Sequence, residues 1–214
     1  MSEVWLIANA ASAAGFTLAE AALKAGAQIV AGAREPVRLT ALAARHDGRV
    51  LAVPLDLAAE ATVYAAIDAA LTTFGRLDVV VNLMDKVEAP PVAEMDDATL
   101  RKQFERDFFG VVGLAHAVLP ILHEQGGGRI VHVALRDDDS HPTSLAASHA
   151  VRGYFEGLAR EVARHGIEVS VIETDRMPIR ESELAAQDAR RKSGERGEPA
   201  PRGRVVDFPA RSAA

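Results

Sequence analysis

Apolar residues fall into two kinds of run that alternate along the chain. Short β-prone blocks stand at residues 4–7 (VWLI), 28–34 (QIVAGAR), 49–55 (RVLAVPL), 77–81 (LDVVV), 129–135 (RIVHVAL) and 167–172 (IEVSVI). Each is too brief for a helix and most are rich in branched residues, so they read as strands. Between them the apolar positions recur at helical spacing. Phe16, Ala19 and Leu23 follow Gly15, and the pattern stops at Gly26. Residues 35–46 carry Pro36 in a first turn with Val37, Leu39 and Leu42 behind it, and residues 59–74 carry Val63, Ile67 and Leu71. Gly75 stands where a helix C′ glycine belongs, and Gly166 closes the run 143–165 in the same way. A long helix is expected from about Asp97 to His123. The block 77–81 is continuous enough for a strand buried on both faces, with Asn82 ending it. Strict alternation of strand and helix predicts a doubly wound parallel α/β sheet in one domain, residues 1–175.

The first unit, residues 4–26, is strand, turn and helix. A helix that begins directly after the first strand places free N–H groups and the positive end of its dipole at the sheet's C-terminal edge, where a pyrophosphate binds. The turn holds little glycine: Asn9, Ser12 and Ala13 precede Gly15. Asn9 can adopt the left-handed conformation, whereas Ala13 puts a methyl group near the phosphate path.

Composition narrows the classes. With 214 residues, 49% hydrophobic and 25% charged, the chain can bury one sizeable core. Cysteine is absent, which excludes disulfides and a thiolate nucleophile and is compatible with a reducing compartment, so cytoplasm is expected. A basic, then apolar, leader and a run of eighteen apolar residues are both lacking, so no membrane association is expected. The formal charge of −6 is uneven, because Arg and Lys outnumber acids from Arg176 onward. The acidic body argues against nucleic-acid binding. Residues 176–214 form a polar C-terminal segment: 183–192 suits one polar helix, 193–203 (SGERGEPAPRG) a linker or disordered stretch, and 203–208 (GRVVDF) one more strand.

Three segments in register carry a resemblance. LDVVVN at 77–82 resembles LDxLVNNAG, GGGRIVHV at 126–133 resembles GGxIVNVSS, and residues 147–172 (ASHAVRGYFEGLAREVARHGIEVSVI) resemble ASKAAVxGLTxxLAxELAxxGIxVNxI. These are motifs of the short-chain dehydrogenase/reductase family, and the resemblance covers roughly residues 4–172. It implies a Rossmann-like fold, NAD(P)-dependent oxidation or reduction of alcohols, ketones, sugars or steroids, and assembly as a homodimer or homotetramer. It also implies cofactor-binding roles for Ser12, Gly15, Arg34, Asp56, Leu57 and Asn82. Arg34 stands where NADP-preferring members place a cation for the 2′-phosphate, so the cofactor expected is NADP(H), weakly held because the turn keeps only its last glycine.

The catalytic positions of that family are all substituted. Its tyrosine falls at Leu145, its lysine at His149, its serine at or beside Leu135 and its helix asparagine at Asp107, and the ProGly pair after the sixth strand reads Glu173 and Thr174. No residue is therefore assigned a catalytic role. Three functions remain open. The chain binds NADP(H) without turnover, in a binding, regulatory or assembly role; or it is an NADPH-dependent carbonyl or alcohol oxidoreductase with another proton donor, such as His149 with Asp107 and Ser144 or Ser148; or it is a structural partner of an active homologue. Asp137, Asp138, Asp139 and His141 imitate a metal site but suit a solvated loop, and no metal is expected. Assembly is expected through the helices carrying Phe104, Phe108, Val112, Ala115 and Leu119 and, in the other, Ala150, Phe155, Leu158 and Val162, with Gly153 and Gly157 allowing close approach. The two-fold contact is placed near Phe108 and Phe155.

Overall fold

A computed structural model describes residues 2–46, 48–84, 91–135 and 142–174. They lie in one compact unit, Met1–Ile179. The expectations for 176–214 and for the loop with Asp137, Asp138, Asp139 and His141 lie outside the described residues. The chain runs β1 (Val4–Ala8), α1 (Ala13–Lys24), β2 (Gln28–Ala33), a 3₁₀ turn (Pro36–Leu39), α2 (Thr40–Arg45), β3 (Val50–Pro54) and α3 (Glu60–Phe74). It continues with β4 (Val79–Leu83), α4 (Asp97–Phe104), α5 (Gly110–Glu124), β5 (Gly128–Leu135), α6 (Pro142–Val162) and β6 (Ile167–Thr174).

The strands form a single parallel sheet in the order β3-β2-β1-β4-β5-β6. The order reverses between β1 and β4, which makes their C-terminal ends the topological switch point of a Rossmann sheet. Central strands explain the choice of residues: every position of β1 and β4 is buried, as a strand covered by helices on both faces requires. Under α3, α5 and α6 lie Leu6, Val80 and Ile130, packed with Val63, Ile67, Leu114, Val118 and Phe155. The helix ends follow capping chemistry. Ser12 and Asp96 cap α1 and α4 through Gly15 N–H and Thr99 N–H, and Gly75 ends α3 in the left-handed region at φ 76°. Gln125, just past α5, grips the backbone before β4: its Oε1 accepts from Leu77 N–H at 3.0 Å and its Nε2 donates to Leu77 O at 2.6 Å.

Three expectations change. Asn82 does not end its strand, because the ladder continues with Asn82 opposite His132 and Leu83 opposite Val133. The long helix is divided: a π turn at Glu105–Phe109 separates α4 from α5. From Asp97 to Glu124 this run is long and apolar enough to cross a membrane by length and composition, yet Val111, Leu114, Val118 and Leu122 lie in the core on the sheet. Finally, Phe155 is not a surface contact. It is 2% exposed and part of the core, as are Ala115, Leu158 and Val162, because the α6 stripe of Val151, Phe155, Leu158 and Val162 is the face that covers the sheet.

Candidate functional site

The turn between β1 and α1 is built by substitutes for glycine. Asn9 is the one described residue other than glycine with positive φ, 61°. Ser12 then ties the turn to the helix: its hydroxyl donates to Asn9 O at 2.9 Å and accepts from Gly15 N–H at 3.0 Å. Ala10 N–H donates to Gly32 O at 2.8 Å, docking the turn on β2. Gly15 is irreplaceable on steric grounds, since a Cβ there would lie 2.4 Å from Asn9 O and 2.6 Å from Ala10 Cα. With Gly15 capped and Phe16 N–H bonded to Ser12 O, the N–H groups of Ala13 and Ala14 have no partner among the described residues. The Ala13 methyl is exposed at that same end.

The other sequence candidates sit along or beneath the same edge. Arg34 follows β2, exposed, with no hydrogen bond or ion pair among the described residues, while nearby Arg38 pairs with Glu35 at 3.6 Å. Asp56 follows β3 in a tight turn. Its Oδ1 accepts from Ala58 N–H at 3.1 Å and its backbone exchanges bonds with the Thr62 hydroxyl at 2.9 and 2.8 Å. Leu57 is pressed against the start of α5, where a Cβ on Gly110 would lie 2.6 Å from Leu57 O. Asn82 differs from the rest, because its amide is buried and lies 2.9 Å from His132 Nδ1, on the sheet face that Phe155 covers.

His132 is a feature that sequence reasoning missed. It is fully buried, edge-on to Phe155 with centroids 5.8 Å apart, and its Nε2 has no hydrogen-bond partner among the described residues. Burial pushes the imidazole down to about 4. The ring is therefore neutral at pH 7, and with the Asn82 amide donating to Nδ1 its proton sits on Nε2. The clue in the sequence is a polar residue alternating with valines in RIVHVAL, at the position where the family motif has asparagine.

Around the family's catalytic positions, Asp107 and Ser144 have partners. Asp107 lies in the π turn and is clamped by Arg106, with Nε to Oδ1 at 2.6 Å and Nη2 to Oδ2 at 2.8 Å. Ser144 accepts from Gln103 Nε2 at 2.8 Å. His149 is exposed and makes no bond to Asp107, so the substitute acid/base pair does not form. Leu145 is 46% exposed. Tyr154 is the one phenol on α6, and nine residues along from Leu145 it is displaced by about 13 Å. It hydrogen-bonds His116, and its proton is held more firmly than usual by burial and then by Glu161. Among the described residues, no group of three or more His, Asp or Glu side chains is placed to hold a metal ion.

This architecture matches known proteins closely. The model of the short chain dehydrogenase family fits residues 3–178, and the chain belongs to that family. It is 35% identical over 178 residues to an oxidoreductase, BOA17, of Botryotinia fuckeliana, covering 81% of this chain and 65% of that protein. It is 34% identical over 181 residues to human dehydrogenase/reductase SDR family member 7, covering 79% of this chain and 53% of the relative. The chain thus spans between half and two thirds of the length of these relatives. Among solved structures it resembles a short-chain dehydrogenase from Streptomyces avermitilis, with TM-score 0.76 and 26% identity over 92% of this chain and 86% of that one. L-sorbose reductase of Gluconobacter frateurii, solved with NADPH and L-sorbose, gives TM-score 0.76 and 26% identity over 90% and 76%.

Proposed function

We propose that this family member binds NADP(H) weakly and serves a binding, regulatory or assembly role without the family's hydride chemistry. The observation that carries this is Leu145, an exposed apolar side chain at the position of the proton donor. A nicotinamide supplies hydride when bound, but the charge that builds on a carbonyl oxygen needs a positioned O–H or N–H, and leucine has neither. Nearby, the Asp107 carboxylate is clamped by Arg106 and the Ser144 hydroxyl accepts from Gln103.

The described residues fit a dinucleotide. Ala13 and Ala14 N–H groups would hold the pyrophosphate, Arg34 the 2′-phosphate, and Asp56 and Leu57 the adenine side. Support for NADP over NAD comes from the exposed guanidinium of Arg34 at the end of β2, which has no ion pair among the described residues. Calorimetric titration with NADPH and NADH beside a carbonyl panel tests the reading. Binding with an NADPH bias and no turnover is the expected result; equal affinities or robust turnover overturns it.

Assembly is the second part of the proposal. Phe109 is 54% exposed, and a side chain on Gly153 or Gly157 of α6 would meet only open space, so this helix pair offers an uncovered apolar and smooth face to a second copy. The lack of cysteine keeps a cytoplasmic setting in the proposal.

A further inference from the structure

The crevice between the C-terminal ends of β1 and β4 is spanned by one side chain. Ala8 and Asn82 are register partners, so the two strands part just beyond them. Across that gap Asn9 Nδ2 donates to Leu83 O at 3.4 Å, a long bond that replaces the next rung of the ladder. A glycine at position 9 would leave the crevice open. Here a carboxamide lies over it, carried on a backbone at φ 61° and held in that conformation by the Ser12 hydroxyl bonded to Asn9 O.

We infer that Asn9 is a clasp over the dinucleotide crevice, closed on Leu83 in the free protein and swung aside when the pyrophosphate and nicotinamide half enters. This rests on the reading that the crevice takes NADP(H). By the strand order, the adenosine half lies on the β2 and β3 side with Arg34, away from the clasp. The half that runs toward β4 and β5 must pass the Asn9 carboxamide. The clasp therefore weakens affinity in proportion to the time it is shut, and it discriminates against the long ligand only.

The experiment compares wild type and Asn9→Gly by calorimetry with two probes, NADPH and adenosine 2′-monophosphate. Glycine adopts the left-handed backbone freely, so the variant keeps the turn. A clasp shut nine-tenths of the time predicts about tenfold tighter NADPH binding by Asn9→Gly, with adenosine 2′-monophosphate affinity unchanged. The Asn9 side-chain amide signals in ¹⁵N spectra should move when wild type meets NADPH and stay in place with the monophosphate. If wild type binds NADPH and Asn9→Gly binds it no tighter, the clasp is wrong while the nucleotide reading stands. If both probes gain equally, Asn9 acts on the whole turn and the clasp is again wrong. If neither protein binds either probe, the nucleotide reading falls, and the clasp with it.

Discussion

The turn after β1 and the first turn of α6 have both departed from the family pattern, with opposite results. In the turn the glycines are mostly gone, yet the geometry is rebuilt: Asn9 takes the left-handed backbone, Ser12 caps the helix, and Gly15 remains where no Cβ fits. At α6 the helix, its core stripe and its neighbours are in place, and under the proposed reading Leu145 and His149 stand where the family carries its reacting atoms. A phosphate loop asks for backbone N–H groups in a shape, which several sequences supply. Proton transfer asks for a particular atom, and no rearrangement of backbone provides it. Under the proposed reading, family membership predicts the scaffold of this chain better than its chemistry.

The sharpest way to break the comparison is to exchange one side chain in each region. Gly15→Ala should cost roughly 3 kcal/mol in urea unfolding, because the new methyl meets backbone rather than a side chain that can move aside. Leu145→Tyr, at an exposed position, should change stability by less than about 0.5 kcal/mol. Equal costs at the two positions would refute the idea that only the turn is geometrically constrained.

Much of this was legible in the residues, and the failures have physical causes. The strands and helix stops could be read because β-prone blocks and Gly75 or Gly166 impose them locally. Asn82 looked like a strand end because asparagine usually breaks β structure, but His132 opposite gives its amide a partner and the ladder runs on. The π turn at Glu105–Phe109 leaves no mark in hydrophobic spacing. It adds a residue to the helical repeat, so Phe109 turns outward while Phe108 packs partly against the core. Among the proposed site residues, Ser12, Gly15, Arg34, Asp56 and Leu57 are marked by the family resemblance, and the structure places them just beyond the ends of β1, β2 and β3. The Asn9 bond to Leu83 and the His132 pair join residues far apart in sequence, which no single segment reveals.

His132 offers a pH test on the buried side of the same edge. Its folded imidazole titrates at about 4 against an ordinary value of 6.5. The unfolded chain thus binds a proton first, and the stability from the neutral ring is complete above pH 6.5 and lost as pH falls toward 4. Wild type should lose up to about 3 kcal/mol more than His132→Asn between pH 7 and pH 4. Parallel urea midpoints for the two proteins across that window would show instead that His132 is not buried in the neutral form.

Assembly carries a smaller effect per residue. Phe109→Glu should shift a dimer to monomer in light scattering at tens of micromolar while leaving the fold intact, because that ring is exposed. Phe155→Glu should unfold the protein instead, since its ring is in the core. Dissociation without unfolding by Phe155→Glu would restore the contact placed there on sequence grounds.

The smallest expected effect is at Arg34, and it decides whether the rebuilt turn belongs to a working nucleotide edge. An exposed guanidinium is screened by solvent and pays entropy to order, so its contact with a 2′-phosphate is worth about 1.4 kcal/mol, a tenfold preference. Arg34→Ala should erase the preference for NADPH over NADH while leaving NADH affinity unchanged. Raising salt from 50 to 500 mM should erode the wild-type preference and leave the variant flat, because only one charge pair separates the two ligands. If NADPH and NADH weaken together in Arg34→Ala, the residue supports the turn as a whole. If neither weakens, the 2′-phosphate is held elsewhere, and the C-terminal edge of β2 does not read it.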